Sequence, residues 1–136
     1  MFRVSLLVAS ALTICGAASA QCASATATNN AGSLTLDLDG SAPMAFCIFV
    51  LGDTQGTTPV SIGSLASVDL GLAAPFVPVP AGLTDISGDA SLTLQLPSVV
   101  PAGSYYAQGL TVGFVFSPGT GISFDVCAST VASFVL

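Results

Sequence analysis

The chain has 136 residues, a formal net charge of −6, one basic side chain (Arg3), no histidine and no tryptophan. Its seven acidic side chains are all aspartates: Asp37, Asp39, Asp53, Asp69, Asp85, Asp89 and Asp125. This inventory excludes nucleic acid and anionic membrane surfaces as partners, since both are bound through Lys and Arg. It also excludes Ser-His-Asp and Cys-His catalysis and histidine-held zinc, all of which need an imidazole.

Residues 1–20 read as an export signal. Arg3 precedes an apolar run from Val4 to Cys15, and small residues lead to Ala18-Ser19-Ala20, the A-x-A pattern cut by signal peptidase. The run is too short for the roughly 20 apolar residues of a membrane-spanning helix. Ile14 and Gln21, rather than small residues, precede Cys15 and Cys22, which argues against a lipid anchor. Cleavage would leave a chain starting at Gln21, without Lys, Arg, His, Trp or Glu. At 52% hydrophobic and 6% charged, the sequence is the opposite of a disordered composition. Residues 21–136 are therefore expected to fold as one domain with a real core.

The remaining elements have the period of strands. Leu34, Leu36 and Leu38 alternate with Thr35, Asp37 and Asp39, which predicts one buried and one wet face. Met44 to Leu51 is apolar on both faces, as expected of a central strand in a two-sheet core. Val68–Leu72 and Phe76–Val79 are candidate short strands, and Pro75, Pro78 and Pro80 restrict the second to an edge or a loop. Leu92, Leu94 and Leu96 repeat the leucine alternation. Tyr105–Phe116 is a long strand with Gly109 and Gly113 as expected bend or bulge points. Ile122–Cys127 and Thr130–Leu136 follow as two further strands. Turn residues separate these runs, at Asp39-Gly40-Ser41, Gly52-Asp53-Thr54, Ser87-Gly88-Asp89 and Ser117-Pro118-Gly119. Seven to nine short strands and no helical period predict an all-β antiparallel sandwich.

The order G-S-L-T-L-D-L-D-G, an apolar strand ending in L-G, S-G-D-A-S-L-T-L-Q-L-P and Y-Y-A-Q-G-L resembles a recurrent β-domain of exported proteins from planctomycete-type bacteria. Tyr106, Ala107 and Gln108 match its Y-A-Q element, and Gly121, Ile122 and Ser123 match its G-x-S segment. The final segment, Asp125 to Leu136, is longer than that pattern and carries Cys127. The resemblance implies a fold and an export route, and no mechanism.

Few residues remain as candidates for chemistry. Tyr105 points away from the face of Tyr106, Gln108, Leu110, Val112 and Phe114, and could serve as a sugar-stacking platform. On the structural reading, Tyr106 is a core aromatic and Gln108 a hydrogen-bonded sheet residue. Asp85 and Asp89 flank Ile86-Ser87-Gly88 and could clasp a calcium ion, although turn formation explains the same residues. D-L-D-G-S at Asp37–Ser41 resembles the start of a calcium loop but lacks its later ligands. Paired carboxylates can hydrolyse glycosides, yet neither a raised-pKa acid nor a sugar cleft is visible. Three cysteines remain after cleavage; Cys22–Cys127 is the favoured disulfide, with Cys47 buried as a thiol. The other two pairings, or three thiols, remain open.

The terminal run T-V-A-S-F-V-L carries no charge or proline, and so predicts an open sheet edge at Thr130–Leu136. Together these features predict an exported, non-catalytic β-sandwich acting as a structural or adhesive module at the cell surface. A carbohydrate- or calcium-binding module is the alternative. Self-association or a cell-surface polymer would be the partner, and no cofactor is expected apart from that calcium.

Overall fold

The computed structural model describes residues 22–62 and 66–136. They form nine strands: β1 (Ser24–Asn30), β2 (Ser33–Asp39), β3 (Phe46–Gly52), β4 (Gln55–Ile62), β5 (Ala66–Leu72), β6 (Phe76–Leu83), β7 (Ala90–Gln95), β8 (Ser104–Ser117) and β9 (Gly121–Val135). The pairing is antiparallel throughout, in sheets ordered β1-β2-β7, β6-β3-β8-β9 and β4-β5. The export signal expected over residues 1–20 lies outside the described residues.

The sandwich follows from two strands with different patterns. On β2, Leu34, Leu36 and Leu38 all point inward and are buried. They meet Cys47 and Phe49 of β3, Ala107 of β8 and Phe134 of β9, forming the core between the first two sheets. Each leucine or phenylalanine buried in this way contributes about 1.5–3 kcal/mol. Met44, expected in β3, precedes it and is exposed, as is Phe46 at its start. β3 lies between β6 and β8, with Cys47 and Phe49 buried on one face and Val50 on the other. Its Val50 packs on Leu70 and Leu72 of β5 in a second cluster on the far side of the main sheet. The double-faced apolar run therefore has a cause beyond a two-sheet core: the β4–β5 ribbon is a third layer. β6 carries Pro78 and Pro80 and sits at the edge of the main sheet, the position to which its prolines restrict it.

Two strands are absent from the sequence-based set. β1 (S-A-T-A-T-N-N) alternates alanine with threonine and lacks large apolar residues, while β4 (Q-G-T-T-P-V-S-I) has no alternation at all. The segments Ile122–Cys127 and Thr130–Leu136, expected to be separate, form one continuous β9 of 15 residues. Gly109 does lie at a break in register, between Gln108 and Leu110. Gly113 does not: it pairs regularly with Asp125, and its backbone passes the side chains of Ala42 and Ala45.

Thr130–Leu136 lies on the edge strand of the main sheet, as expected, but that edge is partly covered. β1 runs beside it: Thr130 N donates to Ala23 O at 3.0 Å, and Ala25 N donates to the Thr130 hydroxyl at 3.1 Å. Farther along, Asn29 Nδ2 donates to Val135 O at 2.8 Å. The small side chains of β1 permit this close approach, and Ala25 is itself buried. A disulfide between Cys22 and Cys127, with Cα atoms 5.8 Å apart, closes the same seam. Cys47 is a buried free thiol, and desolvation pushes its pKa up to about 11.

Candidate functional site

The stretch Ser104–Leu110 is built into the scaffold. Gln108 is only 2% exposed, and its carboxamide joins two elements. Its oxygen accepts from Gly71 N of β5 at 2.8 Å, and its nitrogen donates to Ser129 O of β9 at 2.7 Å. Ser129, fully buried, fills the break in register: its hydroxyl accepts from Gly109 N at 2.8 Å and donates to Thr130 O at 2.8 Å. Tyr106 packs into the cluster under β5. Tyr105 faces the other way and stacks on Phe134, with ring centroids 5.8 Å apart, while its hydroxyl donates to Pro101 O at 2.7 Å. Its ring also lines an apolar pocket of about 530 Å³ at the sandwich end, beside Leu51, Pro75, Leu96 and Val100.

Four of the seven aspartates gather at the opposite end. Asp37, Asp39, Asp85 and Asp89 border one open pocket, lined also by Ser24, Thr26 and Ser91. Asp85 and Asp89 are brought together by a turn. The Asp85 carboxylate accepts from Ser87 N at 2.8 Å and Asp89 N at 3.0 Å, and Asp89 accepts from Gly40 N at 3.1 Å. Gly88 sits at φ +83°, and a Cβ there would collide with Ser41 O. Ser41 N and its hydroxyl both donate to Gly88 O, at 3.0 and 2.7 Å. Buried Thr84 completes the joint: its hydroxyl accepts from Ala45 N and donates to Ala42 O, while its own N–H donates to Ala45 O.

The neighbouring Asp89 carboxylate, by hydrogen bonding to the protonated form of Asp39 and then by its negative charge, raises the pKa of Asp39 above its ordinary value. Desolvation and the charge of Asp85 make smaller contributions. Among the described residues, no group of three or more His, Cys, Asp or Glu side chains is arranged to hold a metal ion.

A third surface was not picked out in the sequence. β3 begins opposite Val112, so β8 from Gly113 to Ser117 continues beyond it with β9 as its strand neighbour. Register places Phe114 against Phe124 and Phe116 against Ile122 on one face of this arm. The Phe114 and Phe124 rings touch, with centroids 5.1 Å apart. Phe114, Phe116 and Ile122 are 65%, 75% and 62% exposed. At the arm's root, Phe46, Ile48, Pro78, Leu110 and Phe114 border a groove of about 550 Å³, and every side chain lining it is apolar. The alternation F-V-F and I-S-F was a usable signal for an apolar face. What the sequence lacked was any sign that the covering layers stop short of it.

No family model, curated protein or solved structure matches the chain. Among the described residues, no helix is long and apolar enough to cross a membrane.

Proposed function

We propose that this protein is an exported, non-catalytic β-sandwich that works as a structural or adhesive module at the cell surface. The observation that carries this reading is the division of labour among its side chains. Gln108, Ser129, Thr84 and Thr111, the buried polar residues, lie within the scaffold, and three of them make the hydrogen bonds described above. Exposed to contact are large apolar residues, including Phe46, Val77, Phe114, Phe116 and Ile122. Such a surface supports association rather than bond-making chemistry. A disulfide is consistent with an oxidising, extracytoplasmic setting.

A carbohydrate- or calcium-binding module is the second reading, supported by Tyr105 at the wall of the end pocket and by the Asp85–Asp89 turn. One comparison separates the two. Chain beginning at Gln21 should remain with the envelope of the source cells while giving no heat on calcium titration and no signal on a glycan array. Binding in either assay, abolished by Tyr105→Ala or Asp85→Asn, would replace the first reading with the second.

A further inference from the structure

We infer that the apolar face of the β8–β9 arm and the groove at its root form the contact between two copies of this chain, each arm seated in the other copy's groove. The inference deepens the reading of the protein as a structural or adhesive module and rests on it. The arm is the starting point. Val112, Phe114 and Phe116 of β8 lie opposite Val126, Phe124 and Ile122 of β9, so one face is apolar along its whole length. A two-stranded ribbon is marginally stable in water unless a third strand or a packed layer supports it. Here the described strands support the root and leave Phe116 and Ile122 exposed.

The geometry favours a second copy as the cover. Arm and groove meet at Phe114, so a single molecule carries both the inserting surface and the receiving one. A two-fold axis then satisfies both at once in a closed, isologous contact. Charge points the same way. None of the seven aspartates lines the groove, and Asp125, the acid of the arm, alternates to the opposite face. In a chain of net charge −6, a face free of carboxylates lets two copies meet without opposed charges. Area sets the scale of the contact. With phenylalanine offering about 150–250 Å², the exposed parts of Phe46, Phe114, Phe116 and Ile122 amount to roughly 450 Å² per copy. Two copies bury about 900 Å² from these side chains, and the neighbouring arm and groove atoms raise the total toward the roughly 1,200 Å² of a stable interface.

The test uses purified chain from Gln21 in sedimentation velocity and light scattering up to the order of 100 µM, because a dimer's population follows concentration. The wild type should form a dimer. Phe116→Asp with Ile122→Asp should weaken it about 100-fold or more, since both copies lose central apolar anchors. At a concentration low enough for the wild type to be monomeric, the variant's unfolding midpoint should match it, because both side chains are exposed in the monomer. A second measurement fixes the geometry: Phe116→Cys copies mixed with Pro78→Cys copies should give a mixed disulfide dimer on mild oxidation. A monomeric wild type would overturn the inference, as would an undiminished dimer in the double variant or crosslinking of Phe116→Cys only to itself. Wild type that is monomeric yet retained by the envelope removes the dimer and keeps the module. A dimer that the envelope does not retain supports the dimer and removes the module.

Discussion

The Gln108 carboxamide oxygen accepts a hydrogen bond from the Gly71 backbone N–H at 2.8 Å, tying the β4–β5 ribbon to the main sheet. Close approach is the condition for this bond: a Cβ at Gly71 would stand 2.7 Å from Val131 Cγ2. The same amide bonds Ser129 O on its other side, so one side chain fixes both the third layer and the register break in β9.

Gln108→Leu should therefore cost about 2–4 kcal/mol, because it keeps the volume but leaves Gly71 N and Ser129 O without this partner. Urea unfolding measures the loss. A cost below about 0.5 kcal/mol would mean that water or another group replaces the amide readily.

The loop joint at the acidic end makes a second prediction. Gly88→Ala forces a left-handed φ on alanine and drives its Cβ into Ser41 O, so destabilisation of about 2 kcal/mol or more is expected. Gly119→Ala is the control: it shares a positive φ but has open space, and should cost about 1 kcal/mol. Equal effects would show that φ alone, and not the Ser41 carbonyl, matters at Gly88.

Asp39 supplies a pH dependence whose sign runs opposite to the usual one for carboxylates. Its folded value is raised, chiefly by the hydrogen bond and charge of Asp89, so the folded state holds this proton more tightly than the unfolded chain. The resulting penalty is fully present at neutral pH, shrinks as pH falls through the folded value, and is gone below the unfolded value near 3.8. Asp39→Asn should accordingly raise the melting temperature at pH 7 and lose that advantage by pH 3. A constant difference at both pH values would exclude the coupling with Asp89.

Cysteine chemistry gives a fourth. Alkylation of denatured, unreduced protein should add one label, at Cys47, whereas the native protein at pH 8 should add none. Burial and a pKa near 11 both keep that thiol from reacting. Replacing Cys22 and Cys127 by alanine opens a link spanning 105 residues, worth about 4–5 kcal/mol in the chain-entropy model. Three labels on the unreduced chain would contradict the disulfide.

Much of the fold could be read from the spacing of leucines. Leu34, Leu36 and Leu38 specify a one-faced strand, and the run from Cys47 to Val50 a strand with buried residues on both sides, although Met44 and Phe46 at the start of the apolar run are exposed. The edge placement of β6 was readable from Pro78 and Pro80. β1 was not, because its inward residues, Ala25 and Ala27, are small enough to let β9 approach and carry little hydropathic signal. Thr84 and Ser129 were equally silent: a threonine or serine becomes a structural key only through partners 39 and 20 residues away. The same limit hid the arm. Its alternation was present, but whether a neighbouring layer covers Phe116 depends on where β3 ends.

Cys127 lies at the junction between the projecting part of β9 and the part lodged in the sandwich. Beyond it toward the tip, Val126 to Gly121 pair with β8; on its other side, Ala128 is buried and Thr130 meets β1. Tension applied to the tip and carried along β9 thus reaches a covalent bond before it reaches Ser129, the Gln108 amide or Phe134. The disulfide shares that load with Cys22, just ahead of β1, whereas tension carried along β8 meets Leu110 and Gln108 with no covalent link. A pull on the hairpin tip therefore works against a covalent anchor on one strand and against packing and hydrogen bonds alone on the other.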